Sequence, residues 1–177
     1  MKSALVIIDV QVGLVALLSP ELRDRVLANV VELLSRARSS KIPIFFVQHD
    51  GAKEHPLEAE TAAWAIHPAI LPLAGEHVVR KKTCDSFFET RLAEELQMAE
   101  IDRVIIAGAM TEYCVDTTCR RAVTLGYDVT LAADAHLTRD NPALTAPQII
   151  AHHNLVLDGF AAGTHSIEIT PASQICF

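Results

Sequence analysis

Three residue types in this 177-residue chain stand where they could carry covalent or acid–base chemistry. Cys114 follows the apolar run Arg103-Val-Ile-Ile-Ala-Gly108 and opens a segment of helical spacing, Thr111 to Leu125, with Thr111 as its candidate cap. A thiol at a helix N-terminus meets unpaired N–H groups and the positive end of the dipole, and both favour the thiolate. Free cysteines are also common as inert core residues, so position tips the reading toward reactivity only modestly. Asp9 ends the run Ala4-Leu-Val-Ile-Ile. A carboxylate there is costly unless partnered, which suits a general base whose pKa is set by burial; a helix cap or an ion pair is the plainer alternative. Lys81 and Lys82 follow Val78-Val79. Adjacent lysines are by default a surface pair, yet one of these emerges at a strand end, where an ammonium can hold a carboxylate and a thiolate together. Spacing does not choose between them. Gln11 either supports such a site or contacts substrate, with an exposed loop glutamine as the equal alternative. Cys84, Cys119 and Cys176 read as structural.

These residues need elements to position them. Ala4 to Asp9, Ile42 to Gln48, Arg103 to Gly108 and Tyr127 to Ala133 are apolar runs rich in β-branched residues, the pattern of strands buried on both faces. His77 to Arg80 is a short third strand and Ile167 to Ile169 an edge strand. Helical spacing covers Pro20 to Arg38, with Ser19 as N-cap and Pro20 at the first helical position. It returns around Phe88, Leu92 and Leu96, with a start between Ser86 and Thr90, and again from Thr145 to Leu157. Strands alternating with helices require right-handed crossovers, hence an α/β fold: a three-layer α/β/α domain with a doubly wound, mostly parallel sheet of about six strands. In such sheets the site lies beyond the carboxyl ends of the strands. That selects Asp9 to Gln11, Gln48 to Asp50, and Gly108 to Cys114. The connection from Asp50 to Pro72 has little pattern, and a stretch of that length is a candidate lid or interface.

Composition narrows the function classes. Half of the residues are hydrophobic (50%) and 21% charged, which fits one globular domain spanning residues 1–177 and excludes disorder. The net charge of −7 argues against a nucleic-acid backbone as partner. No stretch approaches the ~18 apolar residues of a membrane span, and the first apolar run is too brief for a signal peptide. Four cysteines do not make a disulfide framework here, so reduced thiols and a cytoplasmic location are expected.

Taken in order, Val6-Ile-Ile-Asp-Val-Gln11, Lys81 ahead of Ser86-Phe-Phe-Glu-Thr90, and Gly108-Ala-Met-Thr-Glu-Tyr-Cys-Val115 resemble the isochorismatase-like cysteine hydrolases, which include nicotinamidases and related amidohydrolases. The resemblance runs from about Ala4 to Phe160. It implies an Asp9-Lys81-Cys114 triad, with Lys82 inheriting the role if the register slips by one. It also implies an oxyanion hole from the backbone N–H groups of Met110 and Cys114, and a cis peptide between Ala109 and Met110. The substrate would be a small molecule with an amide, imide or carbamoyl bond, and the protein a homo-oligomer, a dimer or higher. Nicotinamidases of the family carry an Asp-x-His metal site after the second strand; Gln48-His-Asp-Gly51 lacks that spacing, so no metal and no cofactor are expected. The family's siderophore isochorismatases cleave a vinyl ether and lack the cysteine, so Cys114 favours acyl chemistry over that alternative. Trp64, Phe87, Met110 and Tyr113 are candidates to line the pocket, with core packing the alternative for Trp64 and Phe87. His136 is a candidate to border the cleft, with loop capping as its alternative.

Two readings of other classes compete. A non-catalytic thiol sensor would use Cys114 with Cys84 or Cys119 and need neither Asp9 nor Lys81. A nucleotide- or flavin-binding module would need a glycine-rich loop after the first strand, where only Gly13 stands.

Overall fold

The computed structural model describes residues 1–177. Strand β1 (Ser3–Ile8) is buried along its whole length, as a strand covered on both faces must be. Alternate residues face opposite sides, and two cores result. Leu5 and Ile7 join one core with helix α2 (Pro20–Ser39). Ala4, Val6 and Ile8 join the other, with helices α3 (Leu92–Met98) and α4 (Asp116–Thr124). Helix α2 starts as its sequence predicts: the Ser19 hydroxyl accepts from the Leu22 N–H and Pro20 follows the cap. Its stripe of Leu22, Val26, Val30, Leu33, Leu34 and Ala37 is buried.

The remaining strands are β2 (Ile44–His49), β3 (His77–Lys81), β4 (Arg103–Ala109), β5 (Asp128–Leu137), β6 (Ala161–Ala162) and β7 (His165–Thr170). They form one sheet in the order β3-β2-β1-β4-β5-β7-β6, parallel except for the β6–β7 pair. The chain winds from β1 outward through β2 and β3, then returns to the other side of β1 with β4. The switch point, where α/β sheets open a crevice, therefore lies between β1 and β4. Gly108 makes the two strands meet closely there. It has φ +125°, and a Cβ on it would lie 2.0 Å from the Ile8 carbonyl oxygen, so only glycine fits.

Several boundaries depart from the sequence expectation. There are seven strands rather than about six, because the two-residue β6 pairs beyond β7 and takes the edge from it. Strand β5 runs to Leu137, past the expected Ala133. An irregularity lets Ile106 to Gly108 on β4 face Leu131 to His136 on β5, and local propensity carries no sign of such a bulge. The third helix starts at Leu92, and Phe88 is 52% exposed outside it. The segment after β4 is a π turn, Thr111–Val115, before α4 begins. Thr111 does not cap it; its hydroxyl bonds to His136 instead. A short helix α1 (Val12–Val15) follows β1, and α5 (Ala146–Leu157) is capped by Thr145 and Gln148. The connection from 50 to 72 is not structureless. Isolated bridges pair Gly51 with Glu58 and Gln11 with Ile66, and Pro68–Ile70 forms a 3₁₀ turn. No helix is long and apolar enough to cross a membrane.

Candidate active site

Asp9, Lys81 and Cys114 come from three separate strand ends and meet in one place. Asp9 directly follows β1 in the left-handed region, φ 49°, which turns the chain as it leaves the sheet; aspartate tolerates that conformation better than most residues. Lys81 is the last residue of β3, two strands away from β1. Strands lie about 4.8 Å apart, so only a long side chain can span β2 and reach Asp9. The Lys81 ammonium does so and places its three protons on Asp9 Oδ2 at 2.6 Å, Cys114 Sγ at 3.2 Å and the Thr83 carbonyl at 3.0 Å. Cys114 sits in the π turn that follows β4, after a cis peptide between Ala109 and Met110. Lys82 makes none of these contacts and is exposed, so Lys81 is the lysine brought to Asp9 and Cys114.

The electrostatics follow from burial. Side chains of Lys81 and Asp9 are 0% and 1% exposed, so neither charge is stable without the other. Burial raises the Asp9 pKa, and the Lys81 charge opposes that rise only in part. For Lys81 burial works downward, but Asp9 and Cys114 outweigh it and hold the ammonium charged. Burial pushes the Cys114 thiol up, the Asp9 carboxylate pushes it further, and Lys81 pulls it down. A depressed thiol pKa, expected from the helix N-terminus alone, is thus not what this environment produces. Asp9 Oδ1 is buried with no hydrogen-bond partner, leaving one carboxylate oxygen open to a proton.

The supporting residues hold these groups from behind. Ser86 and Thr118, both buried, share a hydroxyl–hydroxyl bond of 2.8 Å that ties the loop after β3 to α4. His49, at the end of β2, lies opposite Lys81 in register with its Nδ1 3.5 Å from the ammonium. Burial first, and then the Lys81 charge, lower its pKa to about 4. Sequence reading marked the segment from Gln48 to Asp50 but missed His49 itself. The usable signal was its place one strand from Lys81.

The residues proposed for substrate contact divide. Gln11 is 0% exposed, and its amide donates to the carbonyls of His49 and Trp64 and accepts from the His49 N–H. With both N–H groups spent on backbone, it fixes the walls of the site rather than a ligand. Trp64 is half-buried, donates from its indole to Asp50 and lies 4.9 Å under the Arg80 guanidinium. Phe87 is a core residue stacked 6.1 Å from Tyr127, so core packing prevails over pocket lining. Tyr113 is 54% exposed beside Cys114, and Met110 packs partly buried against the α2 core.

His136 is buried inside β5 and borders no open cleft. Asn154 donates to the Ala133 carbonyl, so its Oδ1 accepts from His136 Nε2, and His136 Nδ1 accepts from the Thr111 hydroxyl that begins the π turn. Burial lowers the His136 pKa to about 4. A histidine depressed in the folded state binds its proton first in the unfolded chain, so acid favours unfolding between roughly pH 6.5 and 4. Chemical denaturation should show the parent losing about 2–3 kcal/mol more than His136→Gln across that window. Parallel pH dependences for the two proteins would refute the assignment.

An acid, an amine and a thiol, all buried and gathered at the switch point of a parallel sheet, define a class of α/β protein with a preassembled acid–amine–thiol centre. The chain belongs to the isochorismatase family: the model described as Isochorismatase domain matches residues 3–149. A streptothricin hydrolase of Streptomyces noursei is 39% identical over 148 residues, covering 82% of this chain and 52% of that protein. An uncharacterized isochorismatase family protein of Bacillus subtilis (strain 168) is 35% identical over 145 residues, 78% of this chain and 79% of the other. The crystal structure of an isochorismatase from Pseudomonas putida KT2440 superposes with a TM-score of 0.88 at 31% identity, covering 98% of this chain and 90% of that one. The chain spans about half the length of the streptothricin hydrolase it matches.

Proposed function

We propose that this protein is a cysteine hydrolase that cleaves an amide, imide or carbamoyl bond of a small molecule through Asp9, Lys81 and Cys114. The observation that carries the reading is Lys81, whose ammonium touches both the carboxylate and the sulfur. Moving the thiol proton to Asp9 shifts negative charge from Lys81's one partner to its other and leaves the total unchanged. In a dry site such a transfer avoids the desolvation cost that ionising an isolated thiol incurs. A relative named for the hydrolysis of streptothricin supports the same class of reaction.

Cys114 gives its proton to the open oxygen of Asp9 as the sulfur attacks the carbonyl carbon. The carbonyl electron pair moves onto oxygen, where the backbone N–H groups of Met110 and Cys114 receive it. Collapse breaks the C–N bond, Asp9 returns the proton to the leaving nitrogen, and a thioester remains. Asp9, again a carboxylate, takes a proton from water, whose oxygen attacks the thioester. The thiolate leaves and recovers the proton from Asp9. The scheme calls on no cofactor.

Cys114→Ala is expected to lower hydrolysis of any accepted amide by about 10³-fold or more, and intact mass spectrometry of the parent should trap an acyl group on Cys114. Undiminished hydrolysis by Cys114→Ala overturns the reading. We further propose that residues 1–177 act as one cytoplasmic domain, and that the stretch from 50 to 72 joins copies into a homo-oligomer. Sedimentation should show a dimer or larger species; a monomer at micromolar concentration removes that part.

A further inference from the structure

We propose a second ligand site, for the phosphate or carboxylate group of a small molecule, in a cleft of about 600 Å³ between the N-termini of α2 and α5. Neither Asp9, Lys81 nor Cys114 lines it. Two arginines do, Arg25 from the second turn of α2 and Arg139 from the segment after β5. The chain has ten arginines. Arg23, Arg38, Arg80, Arg91, Arg120 and Arg121 pair with carboxylates, and Arg36 and Arg103 donate to backbone carbonyls. Only Arg25 and Arg139 have neither kind of partner, in a protein with seven more acidic than basic residues. Both unpaired guanidinium groups face one cleft.

The second observation is independent of charge. Thr138 lines the same cleft, is 0% exposed, and its hydroxyl is buried without a hydrogen-bond partner. An orphaned buried hydroxyl is costly unless something outside the chain completes it. Two carboxylates also line the cleft and bear on the choice of ligand. Asp140 is committed, accepting from the Ala146 N–H at the start of α5 at 2.7 Å. Glu21 stands in the first turn of α2, where the helix dipole offsets it, and it forms no ion pair with Arg25 one turn on. The donors left over are two guanidinium forks and a hydroxyl, a set that matches the planar or tetrahedral oxygens of an oxyanion. A cleft of this volume also holds the remainder of a small metabolite.

Calorimetric titration of the intact protein with inorganic phosphate, and separately with acetate, tests the site and distinguishes the two chemistries. Saturable binding of either anion at one site per chain is expected, with a Kd below about 1 mM. It should weaken by about tenfold or more in Arg25→Gln and in Arg139→Gln, while Arg23→Gln, whose parent side chain is already paired, binds as before. Arg25 and Arg139 are exposed, so these variants fold, and their Cys114 alkylation rates should match the parent's. Thr138→Val should weaken binding without changing its salt dependence. Failure of both anions to saturate, or binding undiminished in the double arginine variant, overturns the proposal.

Discussion

Asp9→Asn is expected to accelerate alkylation of Cys114 while abolishing hydrolysis. The two readouts part because Asp9 acts on the thiol in opposite senses. Its charge raises the Cys114 pKa, and removing that charge leaves the sulfur facing the Lys81 ammonium alone, 3.2 Å away. At pH 7.5 the thiolate fraction, and with it the iodoacetamide rate, should rise by about tenfold or more. In the proposed mechanism the carboxylate both accepts and donates the same proton, so turnover should fall by about 10³-fold or more. Asn preserves the size of the side chain and an oxygen for Lys81, so a general loss of packing does not explain the result. Slower alkylation in Asp9→Asn would mean that Asp9 is not charged beside the thiol at rest. The three-residue centre would then need another base.

Lys81→Met should be the most destabilising single change at the site. It leaves a carboxylate that is 1% exposed with no counter-charge, and breaking a buried pair from one side costs about 3–5 kcal/mol. Adding Asp9→Asn should recover most of that loss, because the orphaned charge goes with it. The pH dependence supplies a check on the cause. Burial already holds Asp9 above the usual carboxylate range, and Lys81 is what restrains the rise. Without Lys81 the folded carboxyl binds its proton more tightly than the unfolded one does. A group with a raised folded pKa favours folding at low pH and loses that contribution as pH rises. The deficit of Lys81→Met should therefore shrink on acidification toward pH 4 and be largest above neutrality. Alkylation should slow as well, since Lys81 lowers the thiol pKa. Urea denaturation at several pH values reads the first effect; a deficit constant across pH would point to lost packing around the lysine stem.

How much of this the sequence disclosed depended on whether a feature was local. The buried strands were legible because a strand covered on both faces needs a continuous apolar run. Ser19 with Pro20 marked the start of α2 for equally local reasons. Asp9 stood out as a carboxylate in an apolar run. What escaped were consequences of pairing between distant segments. The bulge that carries β5 on to Leu137 exists only against β4. The assignment of Gln11 required the backbones of His49 and Trp64, 38 and 53 residues away. The thiol pKa was misjudged for the same reason. The local helix N-terminus was visible, while the burial and the carboxylate that outweigh it come from the rest of the fold. Spacing alone did not separate Lys81 from Lys82; the resemblance pointed to Lys81, and Lys81 is the one that ends β3 facing inward.

The π turn at Thr111–Val115 has a consequence for how this protein can change. A π turn holds one residue more than an α-helical turn and sacrifices hydrogen-bond quality to do so. Deleting one residue there would let α4 run back as a regular helix and would rotate the thiol by about 100° away from Lys81. Selection for robustness and selection for chemistry therefore pull this segment in opposite directions. Lineages released from the need for chemistry have a short path to a sturdier, silent protein with the same sheet. Retention of the extra residue is then a sign, readable in an alignment, that a descendant is still under selection to react.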